Sequence, residues 1–348
     1  MDEKECEVRA AFRQQASFCR GLGSEITATV LETVAEKLNC ETQCGQLLLN
    51  WSGDPTSSGD NVTLRLAGGL HALARSGADA ALAAAYRDQT NIDRAVADAL
   101  VAHDDYLLPW LDNAPQTNEV ARAAIVMAGL HVAAARYPLP IELLELGSSA
   151  GLVLNLNHYR YDLGGLATGD ADSPLLLTPE WKGTPPPGAQ VNIIERHGVD
   201  LNPIDLSSTG AAERLTAYVW PDQLKRLAIA ETAIRLAQAD PPPIEQGDAA
   251  SWTEALLAKP QKDGVMRILF HTIAFQYFPE EQKQRIRDAV AQAGAAASET
   301  RPFGWLSFEF VEESKACELR LTLYPGGEER HLADAHPHVA NVDWYGAK

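Results

Sequence analysis

Ile141-Glu-Leu-Leu-Glu-Leu-Gly-Ser-Ser-Ala-Gly-Leu152 is the stretch on which the reading of this chain turns. Its apolar run, interrupted only by Glu142 and Glu145, stops at Gly147, which predicts a buried strand followed by a glycine-bearing turn. A helix is expected over 152–159, with Gly151 allowing it to pack close to the strand. Ser148 to Gly151 would then present backbone N–H groups at a helix start, where the dipole favours a negatively charged ligand group. That is a cradle for a nucleotide cofactor, with an ordinary strand-turn-helix as the plain alternative. The spacing Glu145-x-Gly147-x-x-x-Gly151 lacks the middle glycine of the G-x-G-x-x-G fingerprint, so a nicotinamide dinucleotide is the disfavoured guest.

Working outward, 348 residues with 46% hydrophobic content allow two domains, each with its own core. No apolar run approaches the roughly 20 residues needed to cross a bilayer. The opening Met-Asp-Glu-Lys-Glu-Cys-Glu lacks the basic and apolar regions of a signal peptide, so a cytoplasmic protein without a membrane partner is expected. A net charge of −18 would repel phosphate backbones, and with no basic patch in view nucleic acid is not an expected partner. Cys6, Cys19, Cys40, Cys44 and Cys317 are scattered and odd in number, which predicts free thiols rather than a disulfide framework. Cys40-x3-Cys44 has no second pair at ligand spacing, and His331, His336 and His338 lie in a polar tail without a carboxylate-rich partner segment. No metal is expected.

Before Tyr137-Pro-Leu-Pro140 the periodicity is helical throughout. Val8, Ala11, Phe12, Ala16 and Cys19 form one stripe, Ile92, Ala95, Val96, Ala99 and Leu100 another, and Val120, Ala123, Ala124, Met127 and His131 the last. An all-helical N-terminal domain over 1–138 is therefore expected, followed by an α/β domain over 139–348. There strand-like and helix-like segments alternate, which argues for a doubly wound, mostly parallel sheet. Its strands are read at 143–146, 191–195 continuing toward Asp200, 244–248, 266–275 and 305–310, with a polar, proline-rich insertion over 164–188. Helices are read over 211–239, with a fresh start at Pro221, and over 280–297. A C-terminal antiparallel hairpin, 318–323 and 329–332, turns through Pro325-Gly-Gly327.

Gln116-Thr-Asn-Glu119-x-x-Arg122, Leu144-Glu-Leu-Gly-Ser-Ser-Ala-Gly-Leu152, Tyr159-Arg-Tyr161, Gly198-x-Asp200-x-x-Pro-x-Asp205, Trp220-Pro221 and His271-x5-Tyr277 occur in that order. Together they resemble the bacterial family known as domain of unknown function 2332, over nearly the whole chain. Asn157-His158 stand where that family often has an acid and a basic residue. The resemblance implies a class I methyltransferase-like fold behind a helical N-terminal domain. An acid two residues before the first glycine, at the end of the first strand, is likewise the habit of class I S-adenosylmethionine-dependent methyltransferases.

On that resemblance Glu145, Gly147, Ser148, Ser149 and Gly151 would form the turn around the methionine moiety of S-adenosylmethionine. Asp200 would accept from the ribose hydroxyls, as a carboxylate suits a diol. It stands 49 residues past Gly151, farther than the roughly 20 usual for such an acid, so Glu195 is the alternative. Asp248 would read the adenine amino group or else cap the helix after it. His271, at the carboxyl edge of the sheet, is a candidate general base or a core histidine. Tyr277 would orient a substrate or cap the next helix. Asn118, Glu119 and Arg122 read as a helix start, with Arg122 able to pair with a cofactor or substrate carboxylate. Trp220 is core or an adenine lid.

The expected function is methyl transfer from S-adenosylmethionine to an unidentified small-molecule acceptor. The alternative is a non-catalytic module of the same fold that binds an adenosyl ligand or a protein.

Overall fold

The computed structural model describes residues 3–208 and 210–346. Among these the helices run α1 Glu3–Gly21, α2 Glu25–Lys37, α3 Gln43–Leu49, α4 Val62–Ser76, α5 Ala80–Asp88, α6 Ile92–Ala102, α7 Asp104–Leu107, α8 Arg122–Arg136, α9 Ala211–Ala217, α10 Leu224–Ala239, α11 Ala249–Leu257 and α12 Glu280–Ala296. The strands run β1 Ile141–Leu146, β2 Arg160–Leu163, β3 Leu166–Gly169, β4 Leu176–Leu177, β5 Glu180–Lys182, β6 Ile193–Asp200, β7 Ile244–Gln246, β8 Met266–Thr272, β9 Phe303–Val311, β10 Ala316–Tyr324, β11 Glu328–Ala335 and β12 Asn341–Trp344. Contacts divide the chain into two units, Met1–Thr117 with Ser208–Glu231, and Asn118–Ser207 with Thr232–Lys348.

That division departs from a boundary at residue 138, and two packing arrangements explain why. Helix α8, expected as the last helix of the first domain, instead packs on β9 and β10. A Cβ at Gly129 would sit 2.6 Å from Leu306, so glycine is what allows the approach. In the other direction, 208–231 returns to the helical unit. Ser24 has no local cap for α2; its hydroxyl donates to Asp222 Oδ1 at 2.6 Å, and Asp222 Oδ2 accepts the Ile26 N–H at 3.2 Å. The Tyr218 ring lies where a Cβ at Gly68 would meet it at 2.6 Å, and Trp110 does the same at Gly69. Two mid-helix glycines cost α4 intrinsic stability, and the aromatic contacts they admit offset it.

The second unit is built on a nine-stranded sheet in the order β5-β12-β11-β10-β9-β8-β1-β6-β7. From β7 to β9 every pairing is parallel, giving a Rossmann-like core, and from β9 to β12 every pairing is antiparallel. Strand β8 is buried at all seven positions, as an apolar run sandwiched between two faces should be. Leu144, Leu146, Val199, Leu269 and Phe303 join Ile286 and Val290 of α12 in one core. Because side chains alternate along a strand, Leu143, Glu145, Asp200 and Leu306 point to the opposite face, where α8 lies.

The helix expected over 152–159 is absent, leaving turns and a short 3-10 stretch, Leu156–His158. The carbonyls it needed are engaged elsewhere. Tyr159 Oη donates to Leu152 O at 2.6 Å and Tyr161 Oη to Leu156 O at 2.5 Å, while Asn155 Nδ2 reaches Asp240 O at 3.2 Å. Part of the proline-rich insertion joins β2 in a small sheet, β3-β2-β4, and β5 extends the large one beside β12. The helix expected at Pro221 begins at Leu224.

Gly151 has φ +69°, and a Cβ there would meet Pro242 Cγ at 2.4 Å and Ile244 Cδ1 at 2.8 Å. Gly165 has φ +97° with nothing within 4 Å. Gly165→Ala should therefore cost only the left-handed strain of about 1–2 kcal/mol, whereas Gly151→Ala should add about 1–3 kcal/mol of overpacking. Urea unfolding of the two variants checks this; equal losses would show that the Pro242 contact relaxes freely.

Candidate functional site

The carboxyl ends of β1, β6, β7 and β8 come together where the strand order reverses, the position at which open α/β sheets bind ligands. The turn after β1 is left-handed at Gly147 (φ +72°), Ser149 (+53°) and Gly151 (+69°). Gly147 and Ser148 donate their N–H groups to Val199 O at 2.9 and 3.1 Å. Ser149 N–H goes to Asp200 Oδ2 at 2.8 Å, Gly151 N–H to Ser148 O at 2.7 Å, and Leu152 N–H to Asn118 Oδ1 at 2.7 Å. These donors therefore do not face outward as a helix start would present them. With no helix at 152–159 there is no dipole behind them either.

The acids divide by their surroundings. Glu195 lies early in β6, in register with Glu142, and pairs with Lys262, so of the two ribose candidates only Asp200 stands at the sheet's carboxyl end. Asp200 Oδ1 also accepts the Asn202 N–H at 2.9 Å. Asp248 caps α11, accepting the Ser251 N–H at 2.8 Å through Oδ1, while its Oδ2 has no partner among the described residues. Glu145 is 1% exposed and its Oε2 likewise lacks a partner. Burial drives its carboxyl pKa well above the usual range. Ser149 Oγ is a further buried oxygen without a partner.

The Asn118–Arg122 segment reaches this edge but in a supporting role. Asn118 holds the turn, as above. Arg122 donates Nε–H to Pro337 O at 3.1 Å and Nη1–H to Thr272 O at 3.0 Å, tying the β11–β12 connection to the end of β8. Burial lowers its pKa. These backbone bonds replace the carboxylate partner that the sequence suggested for Arg122. Glu119 is buried, with Oε1 3.4 Å from the Ala121 N–H.

His271 faces the α12 side of the sheet, on the same side as Leu269 and away from Glu145. Its Nδ1 lies 2.6 Å from Glu309 Oε1, and its ring stacks on Phe275 at 4.8 Å. Burial acting alone would raise the Glu309 pKa. His271 and the N–H groups of Ala274 and Phe275 outweigh it and hold the carboxyl below its usual value. Sequence reasoning missed Glu309; the signal was an acid two from the end of an aromatic strand, Trp305-Leu-Ser-Phe-Glu309. Tyr277 is 74% exposed on the 3-10 turn Phe275–Tyr277, so its side chain is not part of a built pocket.

Trp220 packs on the helical core and lines a cavity of about 30 Å³ in the first unit with Gly68, His71 and Tyr218; none of the candidates at the sheet's edge lines it. His331, which seemed to lack carboxylate partners, gains them through the β10–β11 pairing, since Glu318, His331 and Asp334 bring ligand atoms within 4.8 Å of one another. Arg320 already occupies Glu318, and His331 Nε2 already bonds Asp334 at 2.7 Å.

A family model described as "Uncharacterized protein conserved in bacteria (DUF2332)" matches residues 9–344. The chain belongs to the DUF2332 family. Comparison of this DUF2332 protein with curated proteins and with solved structures returned no match. Among its described residues, no helix is long and apolar enough to cross a membrane.

A carboxyl whose folded pKa is raised is protonated in the native state and ionised in the unfolded one between the two values, so over that window it removes about 1.4 kcal/mol of stability per pH unit as pH rises. Glu145→Gln should therefore match the parent near pH 4.5 and become more stable than it as pH rises toward 8, in urea titrations across that range. A constant difference would mean that Glu145 is ionised in the fold.

Proposed function

We propose that the sheet unit binds S-adenosylmethionine on a class I methyltransferase-like fold and transfers its methyl group to a small-molecule acceptor. The observation that carries this reading is the row of acids Glu145, Asp200 and Asp248. They stand at or just past the carboxyl ends of three neighbouring parallel strands, β1, β6 and β7, beside a left-handed glycine turn at the switch point. The donor set fits an adenosyl group. Each Asp200 oxygen accepts one backbone N–H and keeps a second lone pair for a ribose hydroxyl. Asp248 Oδ2 and Ser149 Oγ would answer the adenine amino group and the amino-acid end.

Charge favours this guest over a dinucleotide. The turn's N–H groups at Ser148, Ser149 and Gly151 are already bonded within the protein, so they are not arrayed for a diphosphate, and Asp200 beside them would repel one. A sulfonium cofactor carries no phosphate, and when bound it supplies a methyl group already activated for attack. The chain's own contribution is alignment, for which effective molarities reach roughly 10⁵–10⁸ M. A non-catalytic adenosyl-binding module is the second reading. It is favoured by Asn118 and Arg122, which are committed to backbone partners rather than turned toward a substrate.

Calorimetry and thermal unfolding against S-adenosylmethionine, S-adenosylhomocysteine and NAD test the cofactor. Either adenosyl compound should raise Tm, a ligand at 100 times its Kd adding about 2.7 kcal/mol. NAD should not. Asp200→Ala should weaken adenosyl binding by about 10- to 100-fold, the loss expected for a charge-assisted bond. Stabilisation by NAD alone would sink the assignment.

A further inference from the structure

We propose that His271 and Glu309 form a proton-accepting dyad at the end of β8, in which Glu309 fixes the imidazole so that Nε2 takes the proton of the group being methylated. This rests on the methyl-transfer reading and names its acceptor class: a hydroxyl or amine that still carries a proton.

The tautomer follows from the donors around Glu309. Its Oε1 accepts the N–H groups of Ala274 at 3.0 Å and Phe275 at 3.1 Å, and Oε2 accepts that of Gln276 at 3.4 Å. A carboxylate so supplied acts only as an acceptor, so the proton between it and His271 belongs to Nδ1, and in the neutral ring Nε2 is a bare lone pair. His271 is 2% exposed, and Nε2 has no partner among the described residues. An unpaired buried acceptor is unfavourable and calls for an explanation.

A second unfavourable feature serves the same arrangement. Ile273, a β-branched residue, sits at φ +49°, in the left-handed region. That bend leads the chain into the turn whose Ala274 and Phe275 N–H groups point at Glu309. Backbone strain and an unsatisfied acceptor two residues apart are a combination found at functional sites. Trp305, whose ring is 5.9 Å from the imidazole, adds a buried Nε1–H without a partner among the described residues. A planar substrate that donates a hydrogen bond to His271 and accepts one from Trp305 would satisfy both. The turn carrying Phe275 covers the imidazole and has to shift for that substrate to enter.

The proton balance is simple. As the substrate's oxygen or nitrogen bonds to the methyl carbon, the carbon–sulfur electron pair returns to sulfur and the O–H or N–H proton passes to Nε2. The imidazolium so formed keeps the positive charge that sulfur gave up, facing Glu309. The other charged or titratable groups around it include Glu318 of β10, opposite Glu309 and paired with Arg320, Cys317 beside it, Arg122 of α8 through Thr272 O, Arg287 of α12 with its guanidinium 5.5 Å from the Phe275 ring centre, and Tyr277 of the turn.

Two measurements on the full chain decide the matter. Nitrogen-15 NMR of the histidine-labelled parent protein, with the His271 ring assigned through its nuclear Overhauser contacts to Phe275, should show the neutral His271 ring protonated at Nδ1; protonation at Nε2 would overturn the dyad without any variant having to fold. Radiolabelled S-adenosylmethionine should then methylate at least one member of a panel of phenols, alcohols and primary amines. His271→Gln should cut kcat by about 100-fold or more, with S-adenosylhomocysteine affinity within twofold of the parent. Glu309→Gln should lower kcat by about tenfold and move the acid limb of the pH profile to lower pH, because the lost carboxylate no longer favours the imidazolium; Glu309→Asp should restore part of the rate. Undiminished turnover in His271→Gln, or labelling of no proton-bearing acceptor, refutes the proposal. Failure of both adenosyl compounds to bind refutes the methyl-transfer reading and with it the dyad's role in methylation, whatever the tautomer.

Discussion

The left-handed turn from Gly147 to Gly151 is the constraint on which the sheet unit depends. Three of its residues occupy a backbone region that disfavours side chains, and it is kept there by acceptors from three directions: Val199 O, the Asp200 carboxylate and the Asn118 amide. The neighbouring strands are fitted to it closely. A Cβ at Gly147 would meet Ala274 at 2.7 Å, and one at Gly151 would meet Pro242 at 2.4 Å. The turns after β1 and β8 and the approach to β7 are thus set by the absence of two side chains.

Two buried acids at this edge show how a single sheet can carry opposite charge states. Glu145, on the α8 face, has an unpartnered oxygen and is driven toward the neutral form. Glu309, on the α12 face, is less enclosed and collects backbone N–H groups and the His271 imidazole, which favour the ionised form. Desolvation acts on both, and the number of donors decides the outcome. Burial thus favours the neutral form of the carboxyl beside the glycine turn, and hydrogen bonding favours the charged form of the one behind the imidazole.

Strand content was readable because the signal for it is local. The apolar run of β8, the glycine stop after β1 and the Pro325-Gly-Gly327 hairpin each declare themselves within a few residues. The missing helix after Gly151 was not readable, since tyrosines from the next strand remove its carbonyls. Glu309 escaped notice for a similar reason: nothing in Ser-Phe-Glu-Phe indicates that the register will set it beside His271. Arg122 was recognised as a charged residue near the site, but its partners are the carbonyls of Thr272 and Pro337, both distant in sequence. Residues whose role is set by long-range backbone groups carry no local signature.

The return of 208–231 to the helical unit has a consequence for how the chain is made. The acid that caps α2 lies 198 residues beyond Ser24. At about 5–20 residues per second, synthesis reaches Asp222 roughly 10 to 40 s after it passes Ser24. During that interval α2 must wait with its first turn uncapped, and Gly68 of α4 stays bare until Tyr218 follows. The first helices to emerge are thus completed late, and a nascent chain halted before residue 222 would lack the acid that caps α2.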